Sequence, residues 1–146
     1  MLQRKYHWLV TGGAGFIGSH IVKELVHQGQ QVTVLDNLSG GKLENLAAVK
    51  DKITFIQGDM GDFSVVLAAC KGTDFVLHLA ALISVAESMA QPQKTAEINV
   101  QGTVNVLEAA KQCGVKRVVF SSSAAVYGTR PELPYNETTP VDCQSP

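Results

Sequence analysis

Short apolar runs alternate along the chain with segments whose apolar residues recur at helical spacing. The runs predict five strands, at residues 6–12, 31–36, 52–59, 74–81 and 117–123. Between them, helical periodicity predicts helices over 16–28, 63–70 and 92–113, and a weak helical turn over 43–49. The run 74–81 is apolar almost throughout, which is typical of a strand that is buried on both faces.

This alternation of strands and helices predicts an α/β fold built from successive βαβ units. Such units form a parallel sheet covered by helices, and right-handed crossovers then give a doubly wound, Rossmann-type sheet of strand order 3-2-1-4-5. The chain of 146 residues has the length of one domain, and no internal linker divides it. We therefore expect one domain over residues 1–146.

Composition narrows the possible partners. Twelve Lys and Arg residues against 13 Asp and Glu residues give a net charge of −1, so nucleic acid and anionic membranes are not expected partners. No apolar run is long enough to cross a bilayer. Three widely spaced cysteines form no metal-ligand pattern, which favours reduced thiols in a cytoplasmic protein and no metal site.

A glycine-rich loop joins the first predicted strand to the first predicted helix. In the stretch TGGAGFIGSH, the glycines Gly12, Gly13, Gly15 and Gly18 satisfy both GxxGxxG and GxGxxG. Glycines at these positions permit a sharp turn, a close backbone approach to a pyrophosphate and tight packing of the helix on the strand. Because the loop follows a strand and opens a helix, it predicts a dinucleotide site.

Asp36 ends the second predicted strand, 18 residues after Gly18. A carboxylate at this position accepts hydrogen bonds from the adenosine ribose hydroxyls and repels a 2′-phosphate, which predicts NAD rather than NADP. A turn-forming role for Asp36 before Asn37 is the alternative interpretation.

Six motifs occur together in the chain: TGGAGFIGSH, VTVLDNLSGG, GDMGD, VLHLAAL, INVQGTVNVLEAA and VVFSSSAAVYG. With these motifs in combination, the chain resembles the extended short-chain dehydrogenase/reductase family. It most resembles the NAD-dependent sugar-nucleotide epimerases, such as the UDP-glucose 4-epimerases. The resemblance implies that the cofactor-binding residues are Gly12, Gly15, Phe16, Ile17, Gly18, Asp36, Asn37, Leu38, Ser39, Gly40, Asp59, Met60, Leu79, Ala80, Ala81 and Asn99.

Within that set, the resemblance implies different places along the cofactor. Phe16 and Ile17 would lie at the pyrophosphate, residues 36–40 around the adenosine ribose, and Asp59 and Met60 at the adenine. Leu79, Ala80, Ala81 and Leu82 would line the nicotinamide side. Asn99 would help to hold the cofactor side of the site in position. The alternative is that Asn99 belongs to a solvated polar face of its helix. We expect His78 to be buried and hydrogen-bonded rather than catalytic, and Cys70 and Cys113 to be core or helix-end residues.

The resemblance also assigns the active site. Ser123 would be the catalytic serine that contacts the sugar hydroxyl, whereas Tyr127 matches a structural turn. The family's acid–base is a tyrosine followed four residues later by a lysine, and no YxxxK occurs in these 146 residues. We therefore expect the chain to be truncated just before the YxxxK helix, to lack the substrate domain and to be inactive by itself.

The expected parent enzyme is a UDP-hexose 4-epimerase that oxidises its UDP-sugar transiently at C4 and acts as a homodimer. Ser84 is a candidate substrate contact, although Ile83 stands where some UDP-glucose epimerases have lysine. Ala124 and Ala125 replace the acidic pair of the 4,6-dehydratases, which disfavours dehydration. The alternatives are another extended family member (a dehydrogenase, reductase or decarboxylase) and a non-catalytic NAD-sensing module.

Overall fold

The computed structural model describes residues 4–131 and 133–146, so residues 1–3 and 132 of the predicted domain lie outside the described residues. Its sheet has five parallel strands in the order β3-β2-β1-β4-β5. The strands are β1 (His7–Thr11), β2 (Gln31–Asp36), β3 (Thr54–Gln57), β4 (Phe75–His78) and β5 (Arg117–Phe120). The predicted fold class and strand order are confirmed.

Two apolar layers enclose the central strands. Because side chains alternate along a strand, Leu9 of β1 faces one layer and its neighbour Val10 faces the other. Helix α1 (Phe16–His27) and a 3₁₀ segment (Leu43–Lys52) cover the Val10 side, whereas α2 (Phe63–Cys70) packs on the Leu9 side. Leu9 and Val10 are both fully buried, as a central parallel strand requires.

The region after β4 differs from the sequence prediction. No helix was predicted between residues 81 and 92, but Val85–Ala90 forms a helix, α3. The Ser84 hydroxyl accepts a hydrogen bond from the Glu87 amide at 3.2 Å and caps this helix. The spacing Ser-x-x-Glu is a helix-start signal that could have revealed α3.

The long helix predicted over 92–113 is also not regular. It consists of α4 (Pro92–Ala96), a π-helical turn (Glu97–Gln101) and α5 (Gly102–Gln112). The backbone stays in the right-handed helical region across both junctions, so the three segments form one continuous helical rod. Apolar periodicity does not separate a π-helical turn from α-helix, and π turns occur frequently at functional sites.

The cysteines behave as ordinary core and surface residues. Cys70 is fully buried in the Leu9 layer, Cys113 is half-buried and Cys143 is exposed. Burial raises the pKa of the Cys70 thiol to about 12, so it stays protonated and unreactive. In the described part of the chain, no helix is long and apolar enough to span a bilayer.

Helix α1 packs closely on the glycine loop through Gly18, and this contact predicts the effect of adding a single methyl group. A Cβ at Gly18 would overlap the Gly12 carbonyl oxygen and lie 2.8 Å from the Gly13 Cα. Backbone atoms cannot rotate away, so Gly18→Ala should lower the free energy of unfolding by about 1–3 kcal/mol. Urea denaturation measures this change.

Gly40→Ala is the matched control, because a Cβ at Gly40 meets no atom within 4 Å. Its unfolding free energy should stay within about 0.5 kcal/mol of the wild-type value. Equal effects of the two substitutions would contradict the described packing of α1 on the loop.

Candidate functional site

The predicted site residues gather at one edge of the sheet. All five strands run parallel, so their carboxyl ends and the segments that follow them meet along that edge. Ligands of doubly wound sheets bind outside these carboxyl ends, where neighbouring crossovers leave in opposite directions. In this chain, β1 and β4 are adjacent, and helices leave them toward opposite faces.

The glycine loop leaves β1 in a conformation that requires glycine. Gly12 has φ +69°, and a Cβ there would lie 2.8 Å from the Ala80 amide nitrogen. Gly15 is the N-cap residue of α1 and provides no side-chain cap. Gly12 therefore packs closely on the backbone after β4, whereas Gly15 supplies no side chain to cap the first amides of α1.

The first turn of α1 presents an uncapped helix N-terminus at this edge. Phe16 and Ile17 are 81% and 60% exposed. The first amides of an α-helix have no intrahelical acceptor, and the helix dipole places partial positive charge at them. Such a helix end is suited to an anionic group such as a pyrophosphate.

Asp36 fixes the shape of this edge in addition to presenting a carboxylate. One carboxylate oxygen accepts a hydrogen bond from the Ala14 amide at 2.9 Å, and the other accepts from the Leu38 amide at 2.8 Å. The first bond joins the end of β2 to the glycine loop, and the second holds Leu38 at φ +62°. Asp36 is 7% exposed, and each oxygen retains a further lone pair for a ligand hydroxyl.

The loop after β2 folds back over the glycine loop and reaches the end of β3. The Lys42 amide and the Asn45 side chain both donate to the Ala14 carbonyl, at 3.1 and 2.8 Å. The Asn37 side chain donates to the Asp59 carboxylate at 2.7 Å and accepts from the Ser39 amide at 2.9 Å. Asn37, Ser39, Gly40 and Asp59 are exposed at the surface of this edge.

The Met60 side chain points into the core and does not line the candidate site. Its side chain is 6% exposed and packs against Gly102, where a Cβ would lie 2.7 Å from the Met60 Cγ. Its carbonyl accepts from the buried Asn105 side chain at 2.9 Å. That Met60 borders an adenine stays a prediction, and only its backbone is placed to make such a contact.

The segment after β4, residues 79–82, is held at both ends. The Leu79 and Ala80 amides donate to the Thr11 hydroxyl oxygen at 3.2 and 3.3 Å. At the other end, the Asn99 side chain accepts from the Leu82 amide at 2.8 Å and donates to the Leu82 carbonyl at 3.0 Å. Asn99 therefore makes a two-bond contact with backbone and is not part of a solvated polar face.

His78 lies beneath this segment and is buried and hydrogen-bonded, as the sequence predicts. Its Nδ1 lies 2.6 Å from the Thr11 hydroxyl oxygen, and its Nε2 lies 3.0 Å from that of Thr103. Thr11 already accepts from two amides, so its hydroxyl donates to Nδ1, and Nε2 carries the ring hydrogen. Burial lowers the pKa of His78 to about 4, and the ring is 1% exposed.

Ser84 and Ser123 share one arrangement. Each is exposed at the start of a short helix, and each hydroxyl oxygen accepts from a backbone amide, that of Glu87 or Ala125, at 3.2 Å. Accepting these bonds leaves the hydroxyl hydrogens able to donate to a ligand. In contrast, the Tyr127 ring packs against the Tyr135 ring, with the centroids 5.1 Å apart.

Comparison with known proteins now identifies the family. Residues 8–146 match the NAD dependent epimerase/dehydratase family. The chain belongs to this family. Within residues 4–131 and 133–146 of this family member, no group of three or more histidine, cysteine or acidic side chains could hold a metal ion.

Individual relatives agree with that assignment. The chain is 46% identical over 143 residues to the UDP-glucose 4-epimerase of Mycolicibacterium smegmatis, covering 94% of this chain and 45% of the relative. The UDP-glucose 4-epimerase of Thermus thermophilus, solved in complex with NAD, superposes with a TM-score of 0.86 at 43% identity, covering 95% of this chain and 45% of that one.

A family member of different activity is structurally as similar. The dTDP-glucose 4,6-dehydratase of Streptomyces venezuelae, solved with NAD bound, superposes with a TM-score of 0.87 at 38% identity. The match covers 95% of this chain and 46% of the dehydratase. This epimerase/dehydratase family member thus spans about half the length of the relatives that it matches.

The structure brings the predicted residues of this family member to one edge, and it adds four residues that the sequence analysis missed. Thr11, Thr103, Gly102 and Asn105 support the site from below without being exposed in it. Threonine and asparagine in these positions carry no distinctive spacing. Thr11 can be recognised only from the structure, where it lies opposite His78 in the pairing of β1 with β4.

The low pKa of His78 predicts acid sensitivity. The folded protein keeps the ring neutral down to about pH 4, whereas in the unfolded chain it takes up a proton near its ordinary pKa of 6.5. Stability from this residue is therefore complete above pH 6.5 and is lost as the pH falls toward 4, by about 3 kcal/mol.

Urea unfolding of the wild type and of His78→Gln at a series of pH values tests this. The wild type should exceed the variant in unfolding free energy at pH 8, and that advantage should shrink by about 3 kcal/mol at pH 4. Parallel pH profiles for the two proteins would show that His78 titrates normally.

Proposed function

We infer that these residues form the NAD-binding part of a UDP-hexose 4-epimerase that works by transient oxidation at C4. The observation that carries this proposal is the combination at one edge of an uncapped α1 N-terminus, a Gly12 backbone packed closely on Ala80, and the buried Asp36 carboxylate. The similarity to UDP-glucose 4-epimerases supports the choice of reaction.

The donor and acceptor groups of this edge fit NAD. The amides of Phe16 and Ile17 would bind the pyrophosphate, and the free lone pairs of Asp36 would accept from the adenosine ribose hydroxyls. Asn37, Leu38, Ser39 and Gly40 would surround that ribose, and Asp59 and the Met60 backbone would border the adenine. Leu79, Ala80 and Ala81 would face the nicotinamide half, where small side chains permit close approach.

When bound, NAD supplies the hydride acceptor and donor for oxidation and reduction at the sugar C4. Ser123 would orient the C4 hydroxyl, because its hydrogen remains free while Ala125 fixes its oxygen. Ser84 would contact the substrate in the same manner from the start of α3. A serine hydroxyl has too high a pKa to act as the base, so Ser123 positions the reacting hydroxyl.

Two observations bear on the choice between epimerisation and dehydration, since the fold is shared by both kinds of relative. Ala124 and Ala125 follow Ser123 directly and carry no acid that could assist loss of water. Both alanines lie in the first turn of a 3₁₀ segment, Ala124–Tyr127, whose N-cap is Ser123, so they are the residues that directly follow the serine in this turn. These positions favour the epimerase.

The proposed parent enzyme is a homodimer whose UDP-sugar site is completed by residues outside this chain. Val100, Val104 and Leu107 form one exposed apolar stripe on the π turn and α5, with exposures of 63%, 49% and 49%. Their spacing places them on a single helix face, which is typical of helices that pack against a partner.

The cofactor preference follows from Asp36. NAD should bind more tightly than NADP, because a 2′-phosphate would meet the buried carboxylate. Asp36→Ala should weaken NAD binding by about 1–3 kcal/mol, the cost of losing charge-assisted hydrogen bonds and the tie to Ala14. Calorimetric titration with both cofactors measures these differences.

Asp51→Ala is the matched control, since Asp51 is an exposed carboxylate in the 3₁₀ segment and away from this edge. It should leave the dissociation constant for NAD unchanged. Equal affinity of the unmutated chain for NAD and NADP would show that Asp36 does not select the cofactor.

We also expect the 146-residue chain to bind NAD without epimerising. Its tyrosines, Tyr6, Tyr127 and Tyr135, are followed four residues later by valine, proline and threonine, so none belongs to a YxxxK acid–base pair. Loss of general base catalysis alone reduces rates by about 10²–10⁴-fold. The assay is interconversion of UDP-glucose and UDP-galactose with added NAD. Turnover that disappears in Tyr127→Phe would make Tyr127 the acid–base and overturn this expectation.

A further inference from the structure

A chain of hydrogen bonds through side chains and one backbone carbonyl, which we call the polar chain, connects the two ends of segment 79–82. Its members are Thr11, His78, Thr103 and Asn99. Thr11 holds the Leu79 and Ala80 amides, and Asn99 holds both backbone groups of Leu82. His78 and Thr103 join these two anchors through the interior.

The polar chain has one consistent set of hydrogen positions. The Thr11 hydroxyl donates to His78 Nδ1, and Nε2–H donates to the Thr103 oxygen. The Thr103 hydroxyl then donates to the Asn99 backbone carbonyl at 2.6 Å, within the π-helical turn. Every member of the polar chain both donates and accepts a hydrogen bond. The end of β4 and the π turn are therefore connected by one continuous set of hydrogen bonds.

The geometry above the polar chain leaves little room for displacement. Ala80 lies so close to Gly12 that a Cβ on the glycine would be 2.8–2.9 Å from the Ala80 backbone. A shift of segment 79–82 by a few tenths of an ångström would therefore change the crevice between the glycine loop and this segment. An apolar residue at position 78 could fill the same space, but it could not form the hydrogen bonds that fix the position of segment 79–82 relative to the glycine loop.

We propose that Thr11, His78 and Thr103 are positioning residues for the nicotinamide half of the dinucleotide. They act through segment 79–82 and do not contact the ligand themselves. This proposal rests on the proposed function, namely that the edge binds NAD. The adenosine half would be held by different elements, through Asp36 at the end of β2 and Asp59 in the segment after β3.

This separation gives a measurable signature. A variant that loosens the polar chain should weaken NAD binding while leaving the binding of ADP, which lacks the nicotinamide half, nearly unchanged. A residue with only a general structural role would change both affinities together or neither. The informative quantity is therefore the ratio of the dissociation constants for NAD and ADP.

Thr103→Val removes the linking hydroxyl at nearly constant shape, and Thr103→Ser restores it. Calorimetric titration should show a dissociation constant for NAD about 3- to 10-fold higher in Thr103→Val, the range for one lost hydrogen bond, with ADP within about 2-fold. Thr103→Ser should stay within about 2-fold of the wild type for both ligands. Thr103→Ala provides a second variant without the hydroxyl if the valine variant does not fold.

Thr33→Val is the matched control, because the Thr33 hydroxyl also contacts a histidine, His7 Nε2 at 2.8 Å, near the amino ends of β1 and β2. It should lower stability without changing the ratio of the two dissociation constants. Equal weakening of NAD and ADP by Thr103→Val, no weakening of either, or a changed ratio in Thr33→Val would overturn the proposal. Failure of the wild type to bind NAD would instead refute the proposed function.

Discussion

The close approach of three backbone segments around Gly12 is the constraint on which the described site depends. Helix α1 packs on the Gly12 carbonyl through Gly18, and segment 79–82 packs on its Cα through Ala80. The Gly12 amide donates to the Leu35 carbonyl at 2.9 Å and so continues the pairing of β1 with β2. A side chain at either glycine would separate the glycine loop from its neighbours and open the carboxyl edge of the sheet.

Polar side chains maintain this approach from both sides. Asp36 joins the loop to β2 through Ala14, and the Thr11–His78 pair joins β1 to the segment after β4. Buried polar groups are costly unless each is satisfied, and each of these has partners at hydrogen-bond distance. The same groups that stabilise the edge therefore define the positions at which a dinucleotide would be held.

Much of this architecture could be predicted from the sequence, because it depends on local patterns. The apolar runs indicated all five strands. The glycine spacing, together with Asp36, indicated that the candidate site lies at the carboxyl edge of the sheet. The strand ends were less predictable: β3 was expected over 52–59 but is Thr54–Gln57, since the preceding 3₁₀ segment continues to Lys52. Helix α3 was missed because its signal is one capping serine and not an apolar stripe.

The features that escaped prediction depend on tertiary register. Thr11 meets His78 only because β1 and β4 pair with these two residues opposite each other. Met60 turns into the core because Gly102 leaves space for it on the long helical rod. A π-helical turn has nearly the same apolar spacing as α-helix, so its presence beside Asn99 was not visible in the sequence.

The central claim is that the carboxyl edge of the sheet binds NAD, and amide chemical shifts of the ¹⁵N-labelled chain during titration with NAD test it most directly. The account predicts saturable shifts at Phe16, Ile17, Leu38 and Ala80, whose amides border the proposed site. Amides at the opposite edge, such as those of Asp74 and Lys116, should not move. Shifts confined to that opposite edge, or no shifts at millimolar NAD, would contradict the account.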